Sequence, residues 1–98
     1  MNIEKNVNGT QLQIALEGRL DTNSSPQLEG TLKQNIGGMD SLIFDLKDLV
    51  YISSAGLRVL LNAQKVMNKQ GNMIIKNSNE EIMDIFDVTG FVDILNIE

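Results

Sequence analysis

The chain has no cysteine, no histidine and no tryptophan, one proline and one tyrosine. Each gap removes a class of function. Without cysteine there are no disulfides and no thiolate metal sites, which fits a reducing compartment. Without histidine there is no Ser-His-Asp triad, no imidazole zinc site and no side chain that titrates easily near neutrality. No apolar run approaches the roughly 18–20 residues of a membrane span. The opening MNIEKNVNGT has neither the basic end nor the apolar centre of a secretory signal. Positive charge is also scarce. Against 13 acidic side chains stand 8 basic ones, for a net charge of -5, a surface that repels a phosphate backbone and argues against nucleic-acid binding. The expected location is the cytoplasm, with no direct membrane insertion.

What is present suffices for one core. At 98 residues and 42% apolar content, residues 1–98 are expected to form one domain that buries roughly 60–70% of its unfolded-chain surface. Ile3, Lys5 and Val7 alternate, Asn8-Gly9 signals a two-residue turn, and Leu12, Ile14 and Leu16 alternate again, so the chain should open with a hairpin. In GRLDTNSSPQLEGTLKQNIGG a strand end and a loop lead to a helix, with Ser25 as cap and Pro26 at its first position. Leu28, Leu32 and Ile36 form its apolar face, and Gly37-Gly38 ends it. SLIFDL is a continuous apolar run of strand length, as expected where both faces of a parallel sheet are covered. A loop through Lys47, Asp48 and Leu49 should follow.

From about Ala55 to Gln70 the pattern is helical. Arg58, Asn62, Lys65 and Lys69 make one polar stripe, and Leu57, Leu60, Leu61, Ala63, Val66 and Met67 fill much of the rest, so this helix should pack on more than one side. Gly71 is a stop and NMIIK a short strand. Asn77-Ser78-Asn79 begins a last helix with Glu80 and Glu81 in its first turn, Ile82, Ile85 and Phe86 on its apolar face and Gly90 at its end. FVDILNI is read as a final strand or extended tail. Strands alternating with helices after a hairpin imply an α/β fold, a mixed β-sheet with an N-terminal hairpin and covering α-helices.

Two groups of residues invite chemistry. Asp45 is read at a strand end, with Asp21 and Asp48 in loops; three acids at one edge would suit magnesium or a phosphoryl group, whereas turn hydrogen bonds are the plainer use of such residues. The other group is YISSAGLRVLL, where Ser53 and Ser54 stand at a helix start. One of them should cap the helix, a contribution of about 1 kcal/mol. A helix N-terminus also tolerates an attached phosphate, through unpaired N–H donors and partial positive charge. Gly56 would remove bulk beside such a site. Arg58, one turn on, would face the phosphate, a partner or solvent.

The stretch FDLKDLVYISSAGLRVLL resembles the central motif of STAS domains, the family that includes bacterial anti-sigma factor antagonists. GRLDTNSSPQLEGTL is similar to the segment by which that family enters its first helix, and IFDVTGFVDIL to its last helix and following turn. The resemblance implies that Ser54 is the phosphoacceptor, with Ser53 as competitor, and that Asp21, Ser53, Ala55, Gly56 and Arg58 belong to the partner-binding surface. Where the family commonly has Asp-Ser, this chain has Ser53-Ser54, which removes a carboxylate and supplies a second hydroxyl.

The function so implied is non-enzymatic. The unmodified protein, expected to be a monomer without a cofactor, binds an anti-sigma factor that is also its serine kinase, and so releases a sigma factor. Phosphorylation ends the binding and a serine phosphatase restores it; ATP and magnesium belong to the kinase. The alternatives are a non-catalytic STAS subunit of a membrane transport or stress-signalling complex, and a metal-dependent phosphoacceptor built on Asp21, Asp45 and Asp48.

Overall fold

A glycine that must turn left-handed sets the first reversal. In the computed structural model, which describes residues 1–98, β1 (Asn2–Asn8) and β2 (Gln11–Leu20) pair antiparallel, with Val7 opposite Leu12 and Ile3 opposite Leu16. The loop is Gly9-Thr10, one residue later than the Asn8-Gly9 expected, because Asn8 still pairs with Gln11. Gly9 has φ 62°, the sign that the first loop position of a type II′ hairpin requires.

β2 continues the sheet in parallel with β3 (Ser41–Ile52), and β3 with β4 (Asn72–Lys76), in the order β1-β2-β3-β4. The loop expected at Lys47–Leu49 is strand. Ala15 faces Asp45 but Glu17 faces Asp48, and Gly18 faces Leu49 but Arg19 faces Tyr51. β3 therefore carries one extra residue at each of two places. Such bulges break the two-residue alternation and leave Lys47 and Asp48 both exposed, which is how a loop looks in sequence. The Asp45 carboxylate accepts the Lys47 N–H at 3.0 Å within the first irregularity.

Three helices, α1 (Ser25–Asn35), α2 (Ser54–Met67) and α3 (Glu80–Thr89), cover one face of the sheet. Leu12, Ile14 and Leu16 of β2, Leu42, Phe44 and Leu46 of β3, and Met73 and Ile75 of β4 join Leu28, Leu60, Met67 and Phe86 of the helices in a single core. Each such side chain contributes about 1.5–3 kcal/mol by leaving water. The opposite face is open, with Glu4, Asn6 and Gln13 exposed. SLIFDL is thus not covered on both sides. Its run is unbroken because Ile43, outside the core cluster, is buried on the helix-free face beside its register neighbour Ile74.

Helix ends follow local chemistry. Ser24, not Ser25, occupies the cap position of α1; Ser25 is its first helical residue and Pro26 follows. α2 stops at Met67, short of Gln70, and Gly71 donates its N–H to the Met67 carbonyl at 2.7 Å. Any Cβ at Gly71 would strike the Asp40 backbone. Asn79 caps α3 by accepting the Ile82 N–H at 2.9 Å, and Gly90 ends it at φ 79°. The tail is neither a full strand nor free: after a 3-10 turn at Phe91–Asp93, Ile97 makes one parallel bridge with Ile75 on the outer edge of β4. No helix is long and apolar enough to cross a membrane.

Candidate functional site

The parallel strands β2 and β3 end side by side, Leu20 opposite Ile52. Past that pair the chain turns into two helices, each through a Ser-Ser step. The Ser53 N–H donates to the Leu20 carbonyl at 2.8 Å, so the start of α2 is tied to the end of β2. Ser53 is extended (φ -92°, ψ 174°), as a cap residue must be, and its hydroxyl accepts the Gly56 N–H at 3.3 Å. That bond is long but satisfies one of the orphan donors. Ser54 is the first helical residue. It is exposed, and its hydroxyl has no partner in the protein. Punctuation and a free hydroxyl are therefore divided between the two serines.

Gly56 does not face outward. It is buried, and a Cβ there would lie 2.7 Å from Leu20 Cγ and 2.9 Å from Ile52 Cγ1. Its missing side chain lets the first turn of α2 settle on the paired ends of β2 and β3. The expectation that Gly56 clears room for a partner is corrected: it positions the neighbouring serines from below. Ala55 and Arg58 do reach the surface, where they line a depression with Thr22, Ser25, Pro26, Glu29 and Val59. The residues contributed by α1 were invisible in sequence, since only the packing of α1 beside α2 brings them there. Arg58 is exposed and makes no salt bridge.

Asp21 opens the loop between β2 and α1. Its carboxylate accepts the Ser24 N–H and the Asn23 N–H, both at 3.0 Å, and its carbonyl accepts the Ser25 N–H at 2.8 Å. The Ser24 hydroxyl accepts the Asp21 N–H at 2.9 Å and lies 2.7 Å from the Arg19 carbonyl. These bonds, the Ser24 N–H foremost, hold the Asp21 carboxyl below the usual aspartate range, with help from the Arg19 charge. Asp21 thus shapes its own loop, and touches the α2 start only through the adjoining Leu20 carbonyl. A second feature that sequence reading missed lies on the same edge, where the Arg19 guanidinium stacks 4.2 Å from the Tyr51 ring centre.

The three aspartates do not converge. Asp45 lies mid-strand and accepts from Lys47 N–H and the Asn77 side chain; Asp48 faces Glu17 across the bulge. No group of three or more acidic residues is placed to hold a metal ion, so the reading of Asp21, Asp45 and Asp48 as one site is overturned.

The family model of the STAS domain matches residues 2–98. An anti-sigma-B factor antagonist of Bacillus subtilis (strain 168) is 32% identical over 98 residues, covering 99% of this chain and 90% of that protein. The solved structure of the anti-sigma factor antagonist SpoIIAA in its unphosphorylated form has TM-score 0.78 at 18% identity, over 99% of this chain and 87% of its own. The Bacillus cell fate determinant SpoIIAA in its phosphorylated form gives 0.77 at 19% identity, over 99% and 91%. The last two establish likeness of fold.

Proposed function

Because the chain belongs to the STAS domain family, we propose that it is a bacterial anti-sigma factor antagonist switched by phosphorylation of Ser54. The observation that carries the reading is the free, exposed Ser54 hydroxyl at the first position of α2, beside a Ser53 already engaged as cap. In the unmodified state the surface around Ser54, with Ala55, Arg58 and the neighbouring α1 start, binds an anti-sigma factor, and the sigma factor is released. The anti-sigma factor is a serine kinase. It moves the γ-phosphoryl group of ATP onto Ser54 Oγ, the hydroxyl proton passing to a base of the kinase and ADP leaving. A serine phosphatase returns the hydroxyl by hydrolysis.

Magnitudes favour a switch of contact over a switch of fold. A phosphate adds about -1.5 to -2 charge, and at a helix N-terminus the dipole favours it by about 0.3–1 kcal/mol, up to ~2. The fold should therefore tolerate it. A near-complete switch needs about 5.5 kcal/mol; like charges brought together in an interface cost several kcal/mol, the order required, and the dipole supplies far less.

The experiment pairs the purified chain with each serine-kinase anti-sigma factor of the source bacterium. Phosphopeptide mapping after ATP treatment should place the phosphate on Ser54, and Ser54→Asp should lose binding while keeping its Tm. Phosphate on Ser53 would correct the residue. A Ser54→Asp protein that binds as tightly as the parent would sink the switch.

A further inference from the structure

α1 and α2 lie side by side and leave a furrow between them. Leu32 of α1, Ile36 at its C-terminal cap, and Val59, Ala63 and Val66 of α2 form its floor, around about 140 Å³ of free space. Glu29 and Val59 also line the depression near Ser54, of about 160 Å³. Sharing these two residues, the two depressions adjoin and together make a furrow that follows α2 from Ala55 to Val66, roughly three helical turns or about 16 Å. Each half falls short of the roughly 300–1,000 Å³ in which small-molecule ligands are enclosed. Val66 is 39% exposed, an apolar side chain on a helix face with nothing over it.

Resting on the function proposed above, we infer that this furrow seats an amphipathic helix of the anti-sigma factor, aliphatic side chains down and an acidic flank over α2. A row of side chains at i, i+3 or i+4 and i+7 fills a shallow, elongated apolar trough without needing enclosure. Charge sets the flank. α2 and the turn after it, residues 54–70, hold Arg58, Lys65 and Lys69 and no acid, so the α2 bank is positive. On the α1 bank Lys33 and Glu29 answer each other at 3.5 Å. An acidic flank that follows the α2 bank toward Ala55 arrives beside Ser54. The charge that draws the partner to unmodified protein is then the charge that a Ser54 phosphate repels.

The test compares affinities for the purified anti-sigma factor kinase, with Tm and sedimentation measured on every variant. Val66→Asp should weaken binding at least tenfold while the protein stays folded. Asn62→Glu, at an exposed polar position on the wall of the furrow, makes the same test without touching its apolar floor and should also weaken binding. Lys65→Glu with Lys69→Glu should weaken it further and reduce its dependence on salt. Folded variants that bind like the parent overturn the proposal. So does a parent that self-associates through the furrow, shown by Val66→Asp giving monomers with unchanged kinase affinity. Ser54→Asp separates the two levels: if it abolishes binding while the furrow variants are neutral, the furrow alone is refuted. If the parent binds no such kinase, both fall.

Discussion

Two helices of this protein begin with Ser-Ser, at the same end of the same sheet, and the two pairs are used in opposite ways. At α1 both hydroxyls are engaged: Ser24 within the Asp21 loop, and Ser25, only 4% exposed, against the Asp21 carbonyl. At α2 Ser53 caps the helix and Ser54 is left free. The dipeptide is the same and so is its place at a helix N-terminus. What differs is the aspartate ahead of the first pair. It folds the chain back over its own serines, whereas Ser53 follows directly from the strand and leaves the next hydroxyl in water.

The largest effect should come from placing the same charge in both contexts. Ser25→Asp puts a carboxylate in a buried position facing a carbonyl oxygen. That costs several kcal/mol, of which the dipole returns at most about 2. For a domain this size each kcal/mol is worth roughly 4–8 °C, so thermal unfolding should show a Tm drop above about 10 °C. Ser54→Asp, one helix away, should leave Tm within about 2 °C or raise it, since only the favourable dipole interaction remains. Equal losses at the two sites would erase the distinction between a structural and a free serine.

How far this was visible in sequence depends on range. The start of α3 within Asn77-Ser78-Asn79, the Gly90 stop and the apolar faces of α1 and α3 are local and were readable, as was the mixed sheet. The choice between Ser53 and Ser54 as cap was not, because a helix start is uncertain by a residue or more until its backbone angles are known. The second half of β3 was hidden by its bulges. The furrow beside Ser54 was hidden by distance, since Thr22, Pro26 and Glu29 meet Ala55 and Arg58 only through the packing of α1 on α2. Gly56 was noticed, but sequence offers no direction for an absent side chain.

That direction supplies the next test. Gly56→Ala should gain up to about 1 kcal/mol in helix propensity and lose about 1–3 kcal/mol to overpacking against Leu20 and Ile52. A net loss between about 0 and 3 kcal/mol is expected. Leu20→Ala alone should cost about 2–5 kcal/mol, yet in that background Gly56→Ala should cost less than in the parent, because the Leu20 atoms are gone and only Ile52 Cγ1 still stands in the way. Denaturant unfolding of the four proteins gives the coupling. Simple additivity would mean that Gly56 faces the partner surface after all, and would return it to the binding site.

The smallest effect concerns the aspartate that distinguishes the two serine pairs. The Asp21 carboxyl is held below its ordinary value in the folded protein, chiefly by the Ser24 N–H. The unfolded chain, with its aspartates near 3.9, therefore takes up the proton first as the solution is acidified. Asp21 stabilises the fold fully above about pH 4, and that contribution is lost as pH falls through the folded-state value. Asp21→Asn keeps an oxygen that can accept the Asn23 and Ser24 N–H groups but has no proton to gain. The variant should be slightly less stable at pH 7 and show a shallower acid limb below pH 4, converging on the parent. The start of α2 contains no such group, so Ser53→Ala should shift stability equally at both pH values. A carboxyl NMR titration of folded protein that placed Asp21 at or above 3.9 would show that the acid does not hold the first serine pair, and the contrast with the second would need another cause.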